Sequence, residues 1–192
     1  QADPRERTLQ RVTGKRREPV SLDWPAIQGV LAQKVLLVTG GGGSIGSELC
    51  RQLARLDPAR LIVLDSSEFN LYTVELELKR KFPDLQLECC LGDVTDRPYI
   101  ENIFRHHRPE VVFHAAAYKH VPMVEQNIVE GTCNNALGTL RAAKAAVSAG
   151  VKSFVLVSTD KAVSPTNVMG ATKRLAEQTL QALQTTTDAT RF

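Results

Sequence analysis

The chain has 192 residues, 43% hydrophobic and 23% charged, as is ordinary for a soluble globular protein with one domain and a sizeable core. Its formal charge of +3 resides in residues 1–18, where six Lys/Arg meet three acids; the remainder carries 18 of each sign, which argues against a nucleic-acid-binding body. No apolar run approaches the ~20 residues of a membrane span, no signal peptide is visible, and Cys50, Cys89, Cys90 and Cys133 form no C-x-x-C pair. Cys89 and Cys90, side by side in a strand-like run, read as small buried thiols, the setting reads as reducing and cytosolic, and no metal site is expected.

Residues 1–33 read as a basic linker or arm. It is extended through Glu18-Pro19-Val20-Ser21-Leu22-Asp23-Trp24-Pro25, with Leu22 and Trp24 docking on the domain. The first residue is Gln and not Met, so the chain is read as cut from something longer. From residue 34 onward strands and helices alternate. Lys34 to Thr39 predicts a first strand, followed by a helix with Ile45, Leu49, Leu53 and Leu56 on one face, stopped by Asp57-Pro58. Arg60 to Leu64 is the second strand, and the next helix carries a stripe of Phe69, Tyr72 and Leu76. A third strand runs near Gln86 to Leu91. Asp96 caps a short helix with Ile100, Ile103 and Phe104 inward, and Val111 to His114 is the fourth strand. A loop, Ala115 to Pro122, leads to one long helix from about Ile128 to Ala149, ended by Gly150. Ser153 to Ser158 is the fifth strand, Asn167 to Gln184 the last helix, and Thr190-Arg191-Phe192 begins a further β-like stretch.

Apolar strands alternating with helices predict an α/β fold with a doubly wound parallel sheet in the order 3-2-1-4-5, Rossmann-like. The run Val35-Leu-Leu-Val-Thr-Gly-Gly-Gly-Gly-Ser-Ile-Gly46 is strand, tight turn and helix start. Gly40, Gly43 and Gly46 fit T-G-x-x-G-x-x-G, while Gly41, Gly43 and Gly46 fit G-x-G-x-x-G, so the register stays open. Either register brings backbone N–H groups against a pyrophosphate. Asp65 ends the second strand nineteen residues past Gly46, where a carboxylate meets adenosine ribose hydroxyls. The remaining unusual stretches, Gly92-Asp93, Ala115 to His120 and Ser158 to Lys161, also fall at carboxyl ends of strands, where such sheets bind ligands.

These stretches together resemble the extended short-chain dehydrogenase/reductase superfamily. Within it they resemble the bacterial polysaccharide-biosynthesis (CapD-like) nucleotide-sugar 4,6-dehydratases. The residues that carry the likeness are Val38-Thr-Gly-Gly-Gly-Gly-Ser-Ile-Gly-Ser-Glu-Leu49, Asp65-Ser-Ser-Glu-Phe-Asn-Leu-Tyr72, and His114-Ala-Ala-Ala-Tyr-Lys-His-Val-Pro122 with Glu125. Asn135 with Gly138 and Thr139, Ser158-Thr-Asp-Lys-Ala162, and Pro165-Thr-Asn through Gly170-Ala-Thr-Lys173 complete it. The resemblance implies NAD as the cofactor, contacted by Thr39, Gly40, Gly43, Ser44, Ile45, Gly46, Asp65, Ser66, Asp93, Val94, Ala115, Ala116 and Ala117. Lys173 is implied at the nicotinamide ribose. It implies a UDP-linked amino sugar, UDP-N-acetylglucosamine foremost, that loses hydride from C4, loses water across C5 and C6, and regains hydride at C6. Thr159, Asp160 and Lys161 are implied over the sugar.

Where the superfamily expects tyrosine, four residues before the lysine, this sequence has Met169, which carries no titratable proton. The long, membrane-anchored dehydratases share that methionine. Residues 169, 173, 176, 180 and 183 fall on one helix face, so Met169 also reads as the start of a core stripe. The base is then Lys161 or a bound water. Lys119, His120 and Asn135 are expected at substrate, with Asn135 alternatively bracing the loop; His106 and His107 read as solvated. Two other readings stay open, a sugar epimerase and a non-catalytic NAD-binding redox sensor. The resemblance further implies a dimer through the two long helices, a membrane anchor in segments outside this chain, a cytoplasmic face for this domain, and a sixth strand and substrate domain beyond Phe192. The chain alone is therefore expected not to dehydrate a UDP-sugar.

Overall fold

The structure is a computed structural model and describes residues 23–192. Five parallel strands stand in the order β3-β2-β1-β4-β5, as expected. They are β1 (Val35–Thr39), β2 (Arg60–Asp65), β3 (Leu87–Leu91), β4 (Val111–His114) and β5 (Ser153–Leu156). The central strands are apolar without alternation because helices cover both faces; Leu36, Leu37, Val38, Leu61, Ile62 and Val63 are fully buried. At the switch point between β1 and its two neighbours, Thr39 stands opposite Leu64 on one side and His114 on the other.

The helices are α1 (Trp24–Leu31), α2 (Ser44–Ala54), α3 (Glu68–Lys81), α4 (Arg97–His107), α5 (Val121–Gln126), α6 (Ile128–Thr132), α7 (Gly138–Ala149) and α8 (Val168–Gln184). Helices α2 and α3 pack beside each other along β1 to β3, whereas α4, α7 and α8 pack together. The alanines Ala142, Ala143, Ala145 and Ala146 bring α7 close to the sheet, in a core with Ile100, Ile103, Phe104, Val112 and Phe154. Among the described residues no helix is long and apolar enough to cross a membrane.

Several expectations are corrected. Extended chain was expected through Trp24-Pro25, but α1 starts there, capped by the Asp23 carboxylate, which accepts from the Ala26 N–H at 3.1 Å. Trp24 is 45% exposed, and Leu22 lies outside the described residues. On α3 the stripe Phe69, Tyr72, Leu76 faces solvent, with Phe69 77% exposed, while Leu71, Val74 and Leu78 face the sheet. Both sets have helical spacing; the Ser67 cap sets the helix phase, and the aliphatic set meets the sheet. On α2, Leu53 and Leu56 are buried as expected, but Ile45 is 53% exposed and faces a cavity instead.

The expected single helix 128–149 is interrupted. Residues Cys133–Leu137 form a π-helical turn between α6 and α7. The preceding loop is not all loop either, since Val121–Gln126 is helical. Thr190-Arg191-Phe192 does turn β-like, with Arg191 bridging Ser153 in parallel.

The phase of α3 gives a direct test. Leu78→Ala should lower stability by about 2–5 kcal/mol, as for other buried leucines. Leu76→Ala, one residue set away, should stay within about 0.5 kcal/mol. Urea denaturation of both variants measures this, and equal losses would refute the assigned phase.

Candidate functional site

Everything distinctive at the carboxyl end of the sheet surrounds two cavities. The larger, about 840 Å³, lies over Gly43 to Gly46 and reaches Lys161, Met169 and Lys173. The smaller, about 270 Å³, lies between Asp65, Asp93 and Ala116. Gly40, Gly43, Ala115, Ala117 and Tyr118 line both, so the cavities meet at the glycine turn.

That turn resolves the register left open by four consecutive glycines. Gly40 has φ +68° and its missing Cβ would stand 2.6 Å from the Ala116 backbone. A Cβ on Gly46 would stand 2.0 Å from the Gly40 carbonyl oxygen. Gly43 meets only the Gly40 oxygen, at 3.3 Å, and borders both cavities. A Cβ on Gly41 would meet the Val63 side chain at 2.3 Å, but Gly41 borders neither cavity, so the spacing that faces the cleft is Gly40, Gly43, Gly46. Gly43 is also the N-cap of α2 and supplies no side chain, which leaves the first-turn N–H groups at Ser44 and Ile45 to an anion.

At the small cavity Asp65 accepts from the Gly42 N–H and the Ser67 N–H, each at 2.8 Å. Two backbone donors hold the carboxylate at the tip of β2, next to exposed Ser66. Asp93 and buried Val94 line the same space; Asp93 is itself tied to the Thr95 N–H and hydroxyl, both at 2.7 Å.

At the large cavity α8 is held by two side chains. Glu125 accepts from the Val168 N–H at 2.6 Å and Asn167 accepts from the Gly170 N–H at 2.8 Å. Gly170 lies against the turn Asp160–Ala162, where a Cβ would stand 2.4 Å from the Lys161 carbonyl oxygen. This contact sets Thr159 and Lys161 opposite Met169 and Lys173. Met169 is buried at 3% exposure, so it is both the first residue of the core stripe and part of the cavity wall. Lys173, 5% exposed, donates to the Val157 carbonyl at 2.6 Å. Burial pushes its ammonium down to about 8, against Glu177, which pulls the other way. Lys119 reaches across to donate to the Ser44 hydroxyl at 3.0 Å, and both Lys119 and His120 line the cavity.

Three expected site residues do not border either cavity. Asn135 is 1% exposed and braces the loop, as its alternative reading had it. It accepts from the Tyr118 N–H at 2.7 Å and donates to the Tyr118 carbonyl and the Thr172 hydroxyl, both at 3.0 Å. Asp160 projects outward with a 91% exposed side chain. The Thr159 hydroxyl donates to it at 2.9 Å and, with the nearby Lys161 charge, holds its carboxyl below the usual range. Thr39 is fully buried, 2.6 Å from His114 Nδ1.

That last contact belongs to a chain the sequence reading missed. The Thr139 hydroxyl donates to the Asn135 carbonyl at 2.7 Å, so it can only accept from His114 Nε2 at 3.0 Å. His114 Nδ1 then accepts from Thr39. Burial pushes this imidazole down to about 3, with Lys173 adding to the effect, and it stays neutral. A histidine ending a central apolar strand was the signal. Tyr118, also on the cavity wall, lay inside the unusual stretch Ala115 to His120 but was not singled out, while Met123, Asn127 and Glu130 on the same wall gave no signal.

Fold and glycine cradle define a domain of the extended short-chain dehydrogenase/reductase class. The chain belongs to the polysaccharide biosynthesis protein family, whose profile matches residues 36–192. The capsular polysaccharide biosynthesis protein CapD of Staphylococcus aureus is 44% identical over 177 residues, 92% of this chain and 30% of that one. A UDP-N-acetylglucosamine 4,6-dehydratase (inverting) of Campylobacter jejuni is 33% identical over 147 residues, 76% of this chain and 42% of that one. A UDP-glucose 4-epimerase structure from Stenotrophomonas maltophila, with bound NAD and formylated UDP-arabinopyranose, superposes with TM-score 0.72. It is 26% identical and covers 80% of this chain and 49% of that one. The chain thus spans less than half the length of each.

Lys173 makes a pH signature. An unfolded lysine keeps its proton to near its ordinary 10.5, while the folded one releases it near 8. Between these values the unfolded state binds more protons, so stability should rise with pH across that window. The rise should vanish in Lys173→Met, with both proteins followed by urea denaturation from pH 7 to 11. A parent whose profile matches that of Lys173→Met would remove the burial argument.

Proposed function

We propose that the chain is the cofactor-binding part of an NAD-dependent enzyme that dehydrates a UDP-N-acetyl-hexosamine, UDP-N-acetylglucosamine foremost, to the 4-keto-6-deoxy sugar. The observation that carries this is the pair of cavities joined at Gly40 and Gly43, with Asp65 at one end and Thr159, Lys161 and Lys173 at the other. A dinucleotide laid through the joint fits that order. Its adenosine ribose meets Asp65, its pyrophosphate the start of α2, and its nicotinamide ribose Lys173. NAD, when bound, supplies a hydride acceptor for C4 and a hydride donor for C6.

The chain's own residues supply orientation and proton transfer. The first N–H groups of α2 and the Lys119 ammonium, held at Ser44, set positive potential where phosphates lie. Lys161, as the neutral amine, takes the proton of the sugar 4-hydroxyl, the task that Met169 cannot perform. Asp160, whose side chain points away from the cavity, serves as donor to the leaving C6 hydroxyl only after substrate turns it inward and displaces its hydrogen bond from Thr159, because that bond favours its ionised form. The likeness to the C. jejuni dehydratase supports dehydration; the likeness to the epimerase structure supports a nucleotide-sugar site in general. The product would serve bacterial surface polysaccharide or lipopolysaccharide synthesis. The resemblance to long-form dehydratases supports a membrane-anchored whole protein with this domain on its cytoplasmic side, paired through α7 and α8.

Cofactor choice follows from Asp65. A 2′-phosphate on the ribose would meet a carboxylate fixed by two N–H groups, with Ser66 beside it offering no cation. NAD should bind at least tenfold tighter than NADP, and Asp65→Ser should narrow the gap. Calorimetric titration of both cofactors decides it; equal affinities in the parent would defeat the assignment.

The reaction is tested with the full-length protein and UDP-N-acetylglucosamine. The expected product is the 4-keto-6-deoxy sugar, whereas a C4 or C5 epimer would establish the epimerase reading, and no turnover the non-catalytic one. Single-turnover rates with bound NAD should fall ~10²–10⁴-fold in Lys161→Ala. Met169→Leu keeps apolar volume in a buried position and should cost little. Equal damage in both variants would overturn Lys161 as the base.

A further inference from the structure

On the outer edge of the sheet, away from the cleft, three side chains converge that the dehydratase reading does not use. Glu88 is the second residue of β3, the edge strand. His106 and His107 end α4, which packs nearby. One ligand atom from each of Glu88, His106 and His107 lies within 4.8 Å of the others. Both histidines were expected to be solvated, but only His106 is; His107 is 7% exposed.

The geometry points to a binding site for a divalent first-row transition ion, Zn²⁺ foremost, held by the Glu88 carboxylate and the His106 and His107 imidazoles. The decisive group is His107. Its Nδ1 lies 2.9 Å from Glu88 Oε2, yet the pair lacks hydrogen-bond alignment, so Nδ1 is a buried nitrogen without a partner. Such orphans are rare. A hydrogen bond wants the oxygen along the axis of the ring nitrogen. Two ligands of one ion want it to the side, with both lone pairs meeting at a point about 2 Å from each atom. Separation of about 3 Å without alignment is what the second arrangement requires.

The far side of the ring agrees. His107 Nε2 lies 3.7 Å from Cys90 Sγ, so the Nε2–H can donate to sulfur and leave the Nδ1 lone pair for the ion. The exposed His106 ring packs edge-on to His107, with centroids 4.7 Å apart, and needs only side-chain rotation to complete the set. Two imidazoles and a carboxylate suit Zn²⁺ with a fourth position open to water. One group opposes the ion. Arg60 stands 3.3 Å from the same Glu88 oxygen, and its guanidinium must yield as the ion enters.

Calorimetric titration of the chain with Zn²⁺, and the visible spectrum with Co²⁺, test the site without any reference to activity. One equivalent should bind, and at a hundredfold excess over Kd the melting temperature should rise by roughly 5–10 °C. His106→Ala is a surface change that leaves folding intact, and Glu88→Gln keeps the shape; each should weaken binding at least tenfold. Arg60→Gln should strengthen it by removing the competing cation. NAD affinity should be unchanged throughout, which separates this site from the cleft. No binding at millimolar Zn²⁺, or binding insensitive to either His106→Ala or Glu88→Gln, overturns the three-ligand site.

Discussion

The closeness of two backbones, at Gly40 and at Ala115-Ala116, governs the rest of the cleft. No side chain can stand between them, since even a Cβ on Gly40 would lie 2.6 Å from Ala116. The two loops leave adjacent strands at the switch point, and their contact makes a floor with a cavity on each side. Hydrogen bonding secures the contact from beneath. The Ala115 N–H donates to the Thr39 carbonyl at 2.9 Å, and the chain from Thr39 through His114 to Thr139 ties both strand ends to α7. A neutral imidazole suits that place because it donates on one side and accepts on the other; a charged one could only donate. Burial enforces the neutral form.

The same logic extends outward through Asn135. Its amide holds both backbone groups of Tyr118 and reaches Thr172 on α8, so one buried side chain links the β4 loop to the helix bearing Lys173. Asn135 shapes the wall of the cleft without lining either cavity. Polar residues in this fold therefore divide into those that meet the cavity and those that fix the backbone around it, and residue type does not separate the two.

This is why the sheet was more legible than the site. Strand order followed from apolar runs and right-handed crossovers, and β4 was placed to the residue. The place of the cleft followed from unusual residues at strand ends. Side-chain direction did not follow. Phe69, Tyr72 and Leu76 have the spacing of a buried stripe but lie outside, because Leu71, Val74 and Leu78 have it too and periodicity cannot rank them. Adjacent His106 and His107 look alike in sequence, yet one is exposed and one is buried against Glu88. Asp160 shares a short motif with Lys161 but turns away from the cavity, since a 3₁₀ turn points neighbouring side chains in different directions.

The π-helical turn at Cys133–Leu137 has a bearing on how length variation acts here. A π turn holds one residue more than an α turn, so it shifts the angular phase of α6 against α7. Asn127 and Glu130 reach the cavity wall from the far side of that turn. Rewinding the same residues as regular α-helix at unchanged length would swing the upstream segment by about 100°, carrying both side chains off the wall, whereas deleting one residue within the turn would restore α-helix with α6 and α7 nearly in their present phase. The shape of the cleft is thus encoded partly in the match between chain length and helix type across this one turn.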